Sequence, residues 1–204
     1  MREDNKATIG FTEAEQRILR FAKPYLAAAR GNDVHTRIVL EFAFRLLETE
    51  KGDRDIVIPA LILHDVGYSM VPAELMHRAY GPKAEEDVIR IHEREGVKIA
   101  AAILRDVRYD AVKTAEILQI IDGHDTRENA LSLNDQIVKD ADKLARYSRN
   151  FWLRAEEFHT TPQQLSARLE GFIEEWFFLE ASRKIAREEL RLRRAEVVKK
   201  GHNA

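Results

Sequence analysis

The chain has 204 residues, of which 45% are hydrophobic and 33% are charged, and its formal net charge at pH 7 is −2. This length fits one domain with a sizeable core, and the small net charge gives no general attraction to nucleic acid or to an anionic membrane. The absence of cysteine excludes disulfides, thiolate catalysis and cysteine-ligated metal sites, which leaves histidine and carboxylate as the good metal ligands.

The first predicted elements are helices. Thr12 and Glu15 have the spacing of a capping box, and apolar residues follow them at helical intervals. Asp33 can cap a second helix, which carries His35 beside a row of apolar residues. A third helix over 56–64 is short and almost wholly apolar, which is typical of a central core helix.

The rest of the chain is predicted as one loop followed by more helices. The segment 69–82 contains two prolines and a glycine, so it is predicted as a loop that shapes access to a neighbouring site. Further helices are predicted over 83–91, 93–105, 110–122 and 133–147. Thr161 and the three residues after it form a strong helix start, and a single last helix is predicted to continue beyond residue 190. The fold class is therefore predicted as all-α.

The most informative pair is His64-Asp65, which lies in an apolar stretch. Burial of an ionised carboxylate is costly unless a charged group compensates it, and a divalent cation would do so. Neutral imidazole is the commonest protein ligand for such ions. Neighbouring side chains on a helix point about 100° apart, so a helix end near Gly67 is needed to bring the two together. The pair predicts the centre of a metal site.

Other histidines and an aspartate follow at regular intervals. His35, His92, His124 and Asp140 are each about one helix and its connection from the next candidate, so they are expected on successive helices of a bundle. That arrangement lets side chains from facing helices converge on a central site.

The order and local context of these residues resemble the HD superfamily of metal-dependent phosphohydrolases. The resemblance covers about 20–150, within a single HD-type domain over 1–204 that ends in a helical extension, 151–204, with a long C-terminal helix. It implies a helical bundle whose metal ligands are His35, His64, Asp65 and Asp140.

His92 and His124 resemble the two extra histidines of subgroups that hold two metals. The resemblance then implies that Asp65 bridges the ions and that the two histidines ligate the second one. The sequence departs from the pattern at Tyr68, where the bimetallic hydrolases of cyclic-di-GMP and of diadenosine tetraphosphate carry a lysine, and the GYP signature is absent. Both departures argue against cyclic-di-GMP as substrate.

The resemblance implies hydrolysis of a nucleotide or related small phosphate compound by a metal-activated water, with Asp65 as the catalytic residue. One or two divalent ions are expected, from manganese, iron, cobalt, nickel and zinc, with magnesium also open. Arg37, Arg78 and Lys83 are the candidates for binding the substrate phosphate. Two alternatives stay open: an HD-fold diiron oxygenase, and a non-catalytic regulatory or sensor domain.

The C-terminal stretch 183–200 holds eight Lys or Arg against three Glu. The near-neutral total charge favours packing on the domain or on a second subunit over contact with nucleic acid, so a homo-oligomer remains open. No apolar run approaches the ~18 residues that span a bilayer, and the N-terminus has no signal-peptide core. A cytoplasmic protein without membrane contact is therefore expected.

Overall fold

The computed structural model describes residues 10–28, 32–79, 84–154, 157 and 160–201, and every regular element in these ranges is helical. The α-helices are α1 (Glu13–Ala28), α2 (Asn32–Leu47), α3 (Arg54–Leu63), α4 (Glu86–Asp106), α5 (Ala111–Ile121), α6 (Leu133–Leu144), α7 (Arg149–Leu153), α8 (Pro162–Trp176) and α9 (Glu180–Gly201). Short 3-10 helices cover Val66–Met70, Met76–Arg78 and Ala145–Tyr147. The all-α prediction is confirmed, and none of the described helices has both the length and the apolarity that a membrane span requires.

Helix α3 lies at the centre of the bundle. Every residue from Ile56 to Leu63 is buried, and the helix packs against α1, α2, α5 and α6. Its start is fixed by Asp53, whose side chain accepts a hydrogen bond from the Asp55 backbone N–H. Because all faces of α3 are enclosed, the position of its last turn is set by the core. That last turn carries the residues on which the site is built.

Both predicted capping boxes form. The Glu15 N–H donates to Thr12 Oγ1 at 3.2 Å, while the Thr12 N–H donates to the Glu15 carboxylate at 2.7 Å. The same reciprocal pair joins Thr161 and Gln164 at the start of α8. These starts were predictable because a capping box depends on residues only three positions apart.

Two predicted helices, 83–91 and 93–105, are one continuous helix, α4. His92 lies in its interior, with Val88 and Gly96 four residues before and after it on the same buried face. A histidine has no backbone effect that would end a helix, so the predicted break at this position is wrong.

The single C-terminal helix predicted from Thr161 is two helices, α8 and α9. The chain leaves the helical conformation at Phe177–Leu179, and there the backbone N–H groups of Phe178 and Leu179 donate to the carboxylate of Asp140 on α6 at 3.0 and 2.9 Å. The break is thus stabilised by a distant residue. Apolar residues of both helices, among them Leu169 and Leu190, join the same core as α3.

The 3-10 helix Val66–Met70 approaches α4 very closely at Gly67. A Cβ atom on Gly67 would lie 1.9 Å from the carbonyl oxygen of His92 and 2.5 Å from the backbone nitrogen of Gly96. Only glycine permits this contact between two pieces of backbone. Its effect is to hold the segment that follows Asp65 directly against the helix that carries His92.

Candidate metal centre

The centre begins where α3 ends. His64 is the residue after the last turn of α3, and its Nδ1 lies 2.7 Å from the carbonyl oxygen of Leu61. A neutral ring that donates from Nδ1 keeps a lone pair on Nε2, which is therefore the metal-binding nitrogen. Asp65 follows with φ −100° and ψ 2°, outside the helix, and its Oδ2 lies 3.4 Å from His64 Nε2. The helix end brings the adjacent side chains together as the sequence predicts.

The first triad consists of His35, His64 and Asp142, contributed by α2, the end of α3 and α6. The Nε2 atoms of His35 and His64 are 3.2 Å apart. Asp142 Oδ1 lies 2.9 Å from His35 Nε2 and 3.8 Å from His64 Nε2. Three elements that are far apart in sequence therefore direct one donor atom each at a common point.

The second triad consists of His92, His124 and Asp125. His92 comes from the middle of α4, and the other two from the turn that follows α5. The Nε2 atoms of His92 and His124 are 3.3 Å apart, and Asp125 Oδ2 lies 3.5 and 3.8 Å from them. His124 Nδ1 is 3.0 Å from the carbonyl oxygen of Ile121, so its Nε2, like that of His64, is the nitrogen left for a ligand.

Asp65 lies between the two triads. Its Oδ2 is 3.4 Å from His64 Nε2 and 3.5 Å from His35 Nε2, on the side of the first triad. Its Oδ1 is 3.7 Å from His124 Nε2, on the side of the second. One buried carboxylate thus presents one oxygen to each triad, which is the arrangement of a bridging ligand.

The electrostatics of the cluster depend on burial and on the nearby carboxylates. Burial lowers the pKa of His64, and burial together with the charge of His124 lowers the pKa of His92 to about 4. Burial opposes a charge on His124 as well, but Asp125 and Asp65 outweigh it and raise its pKa to about 10. Burial would raise the pKa of Asp65, yet the surrounding histidines, His64 first, hold it well below its usual range. Burial opposes a charge on His35 too, but its hydrogen bond to Asp142 raises its pKa, so the carboxylates favour positive charge beside both triads.

Two buried charged residues hold the turn after α5 in place. Glu93 Oε1 accepts hydrogen bonds from the backbone N–H groups of Asp125 and Thr126, both at 3.0 Å. The Lys139 ammonium is 3% exposed and donates at 2.7–2.8 Å to the carbonyl oxygens of Gly123, His124 and Arg127. These contacts fix both the backbone and the side-chain directions of His124 and Asp125.

Tyr68 holds the ring of His92. The two rings are stacked with their centroids 3.9 Å apart and an angle of 7° between their planes. Tyr68 is buried and stands where the resembling hydrolases carry a lysine. Position 68 therefore provides an aromatic ring that orients the ring of His92, whereas a lysine there would provide an ammonium group.

The donor set fits a divalent transition metal. Donors bonded to one ion at about 2.0–2.2 Å, with angles of about 90–110°, are separated by roughly 3.0–3.5 Å, and most separations within each triad are close to that range. The Nε2 lone pairs and the carboxylate oxygens face one another, so a cation or a proton must lie between them. Imidazole with carboxylate suits manganese, iron, cobalt, nickel or zinc better than magnesium.

Five of the six predicted ligands come together, namely His35, His64, Asp65, His92 and His124. Asp140 does not join them, and Asp142 occupies the place predicted for it. The two aspartates are two positions apart on α6, so their side chains point about 200° apart and only one can face the cluster. Asp140 faces the junction of α8 and α9. Asp140, which the sequence predicts as a ligand, thus lies away from the histidines, and Asp142 lies beside them, with its other oxygen 3.6 Å from Arg146.

The two predicted phosphate-binding residues that the structure describes, Arg37 and Arg78, are not directed at the cluster. Arg37 is exposed and lies two positions from His35 on α2, so it projects from a different side of the helix. Arg78 forms a two-bonded ion pair with Glu85. Lys83 lies outside the described residues. Arg146, which the sequence analysis does not list as a phosphate-binding candidate, lies beside Asp142, and its i,i+4 spacing from that aspartate was the available signal.

Comparison with known proteins gives one match. The family model described as HD domain matches residues 32–147, which is more than half of the chain and includes both triads and Asp65. Neither the curated proteins nor the solved structures contain a match to the chain.

Proposed function

The chain belongs to the HD-domain family, and from that premise we propose that it hydrolyses a nucleotide or a related small phosphate compound. Members of this family are mostly metal-dependent phosphohydrolases. The observation that carries the proposal is Asp65, a buried carboxylate with one oxygen facing each of two His-His-Asp triads. Gathering these ionisable groups in the interior costs desolvation energy, which bound cations would offset, so a metal site accounts for the arrangement better than a structural role does.

Each triad would hold one divalent ion, with Asp65 shared between them. When bound, such ions supply Lewis acidity, which lowers the pKa of an attacking water and offsets negative charge on the phosphoryl group. The protein's own contribution is orientation. Asp65 would be ionised as a ligand of the ions, and because its oxygens face both triads it would be placed to accept a hydrogen bond from the attacking water and orient it.

We assign binding of the substrate phosphate to Arg146. Its guanidinium lies 3.6 Å from Asp142 Oδ2, at the edge of the first triad, and its side chain is 41% exposed. The group also packs over the ring of Trp176, at 5.6 Å from the centroid, which restricts its orientation. Three other cations near the cluster, among the residues that the structure describes, are engaged in the fold: Lys139 with three carbonyl oxygens, Lys143 with the carbonyl oxygen of Trp176, and Arg90 with Glu93 and Asp122.

The role of Arg146 is tested with Arg146→Gln. Loss of a charge-assisted, two-bonded phosphate contact is expected to raise KM by about tenfold or more, with a smaller effect on kcat and none on metal content. Arg149→Gln is the matched control, because Arg149 is 61% exposed and pairs with Glu196. Equal KM values for Arg146→Gln and wild type would contradict the assignment.

The hydrolase itself is tested by a screen of nucleotides and small phosphate esters against protein reconstituted with manganese, iron or cobalt. Elemental analysis of untagged protein, purified without chelator, is expected to give one or two transition ions per chain. Asp65→Ala should abolish both metal binding and turnover while the helical fold persists, because the shared ligand is gone. His77→Ala, a change at an exposed histidine, should alter neither.

The proposal fails if no substrate in the screen is turned over by the metal-loaded protein, or if Asp65→Ala retains wild-type activity. Protein that contains no metal and binds no added manganese or iron would also overturn it.

One observation favours a second candidate, a diiron oxygenase. The lysine of the resembling hydrolases is replaced by Tyr68, which stacks on His92 and brings no ammonium group to that position. Iron-loaded protein should then consume oxygen after reduction and show the spectroscopic signature of two coupled ferric ions. Phosphatase activity without oxygen uptake decides for hydrolysis.

A further inference from the structure

We infer that Asp125 is a terminal metal ligand of the second triad, which adds a seventh donor to the six-ligand set of the family pattern. The inference rests on the metal centre of the proposed function, but not on the reaction catalysed there. Asp125 follows directly after His124 in the sequence. The ligand pattern of the family, which consists of separate histidines and a His-Asp pair, does not include it.

The two triads correspond donor by donor. Their Nε2–Nε2 separations are 3.2 Å in the first triad and 3.3 Å in the second. Asp142 lies 2.9 and 3.8 Å from the histidine nitrogens of the first triad, and Asp125 lies 3.5 and 3.8 Å from those of the second. The second triad therefore has a carboxylate in the position that Asp142 occupies in the first.

The position of Asp125 is held by the fold. Glu93 accepts a hydrogen bond from its backbone N–H, and Lys139 binds the carbonyl oxygens on either side of the turn, at Gly123 and Arg127. The Asp125 side chain is 31% exposed, so it reaches the cluster from the solvent side while His92 is fully buried. A carboxylate placed at the mouth of a site can complete the coordination of an ion without closing off the open positions that a substrate needs.

The chemistry of the set indicates the class of metal. With Asp125, each triad is a two-histidine, one-carboxylate set, which is typical of non-haem iron and also suits manganese. Both triads then offer the same donors, so both are expected to select the same metal. The three carboxylates, Asp65, Asp125 and Asp142, also offset most of the charge of two divalent ions.

The test is a titration of metal-free protein with manganese(II), with free manganese measured by electron paramagnetic resonance and bound manganese by elemental analysis. Wild type is expected to bind two ions. Asp125→Asn and Asp125→Ala should keep one, with the dissociation constant of the second raised about tenfold or more. Glu128→Gln is the control, since Glu128 is an exposed carboxylate in the same turn. Circular dichroism of each metal-free variant establishes that the fold is intact.

The inference is overturned if both Asp125 variants bind two ions with wild-type affinity, or if wild type and the variants all bind a single ion equally well. Its outcome is separate from that of the hydrolase proposal. Wild type that binds two ions but hydrolyses no phosphate compound would refute the proposed reaction and leave the role of Asp125 intact. If wild type is an active hydrolase and the Asp125 variants bind metal as wild type does, the role of Asp125 is refuted and the proposed reaction stands.

Discussion

The ligand cluster and the C-terminal helix pair, α8 and α9, are both rich in charge, but they accommodate it in opposite ways. In the cluster, His64, His92 and Asp65 are almost completely buried and face one another. In the helix pair, charged side chains meet at the surface, as Arg194 and Glu170 do. Surface pairs remain hydrated and contribute little to stability, whereas buried charges require a compensating ion. What distinguishes the cluster from the helix pair is therefore the convergence of buried histidines and carboxylates on common points.

The sharpest test of this comparison is Asp142→Asn. The substitution keeps the volume of the side chain but removes the carboxylate of the first triad. We expect loss of metal from that triad and a fall in turnover of ~10–100-fold or more, with little loss of folding stability. Elemental analysis and steady-state kinetics measure both effects. A variant with full metal content and full turnover would show that Asp142 is no ligand.

Asp140→Asn, two residues earlier on α6, should have the opposite profile. Asp140 is fully buried and accepts the N–H groups of Phe178 and Leu179, and an asparagine places its own amide donor against one of them. An unsatisfied buried N–H lowers the free energy of unfolding by about 1–3 kcal/mol. Urea denaturation measures this loss, while metal content and turnover per folded chain should stay at wild-type values. A larger effect on turnover than on stability would return Asp140 to the site.

The smallest effect is expected from Glu170→Gln in the C-terminal helix pair. It removes the ion pair with Arg194, in which the Glu170 side chain is 59% exposed. Thermal unfolding, metal content and turnover should all match wild type within error, because exposed ion pairs stabilise little. A clear loss of stability would mean that surface charge matters more in this helix pair than the comparison implies.

The predictable parts of the fold are those that depend on neighbours in sequence. The capping boxes at Thr12 and Thr161 and the apolar helix ending at His64 were all predicted and all form. Histidines in apolar surroundings were similarly informative about the site, because few other roles justify their burial. The structure brings four of these histidines to one place: His35, His64, His92 and His124.

The errors have a common physical cause, which is contact between residues distant in sequence. The sequence predicts Asp140 at the site and a single helix where α8 and α9 lie, and both predictions miss the same interaction, the hydrogen bonds from the Phe178 and Leu179 N–H groups to Asp140. Spacing alone cannot decide which of two aspartates in Asp140-Ala141-Asp142 faces the histidines. That depends on the rotation of α6 in the bundle, which is fixed by its packing against α2, α3 and α9.

Gly67 determines how closely the segment after Asp65 approaches helix α4. A methyl group at this position would start 1.9 Å from the His92 carbonyl oxygen, and Cβ atoms essentially never approach another atom closer than 3.0 Å. The backbone segment that carries Asp65 and the helix that carries His92 would therefore lie about 1 Å farther apart. That shift is a large fraction of the length of a metal–ligand bond. Close contact between these two backbone segments thus sets the distance between Asp65 and His92. We therefore expect Gly67→Ala to move Asp65 away from the second triad.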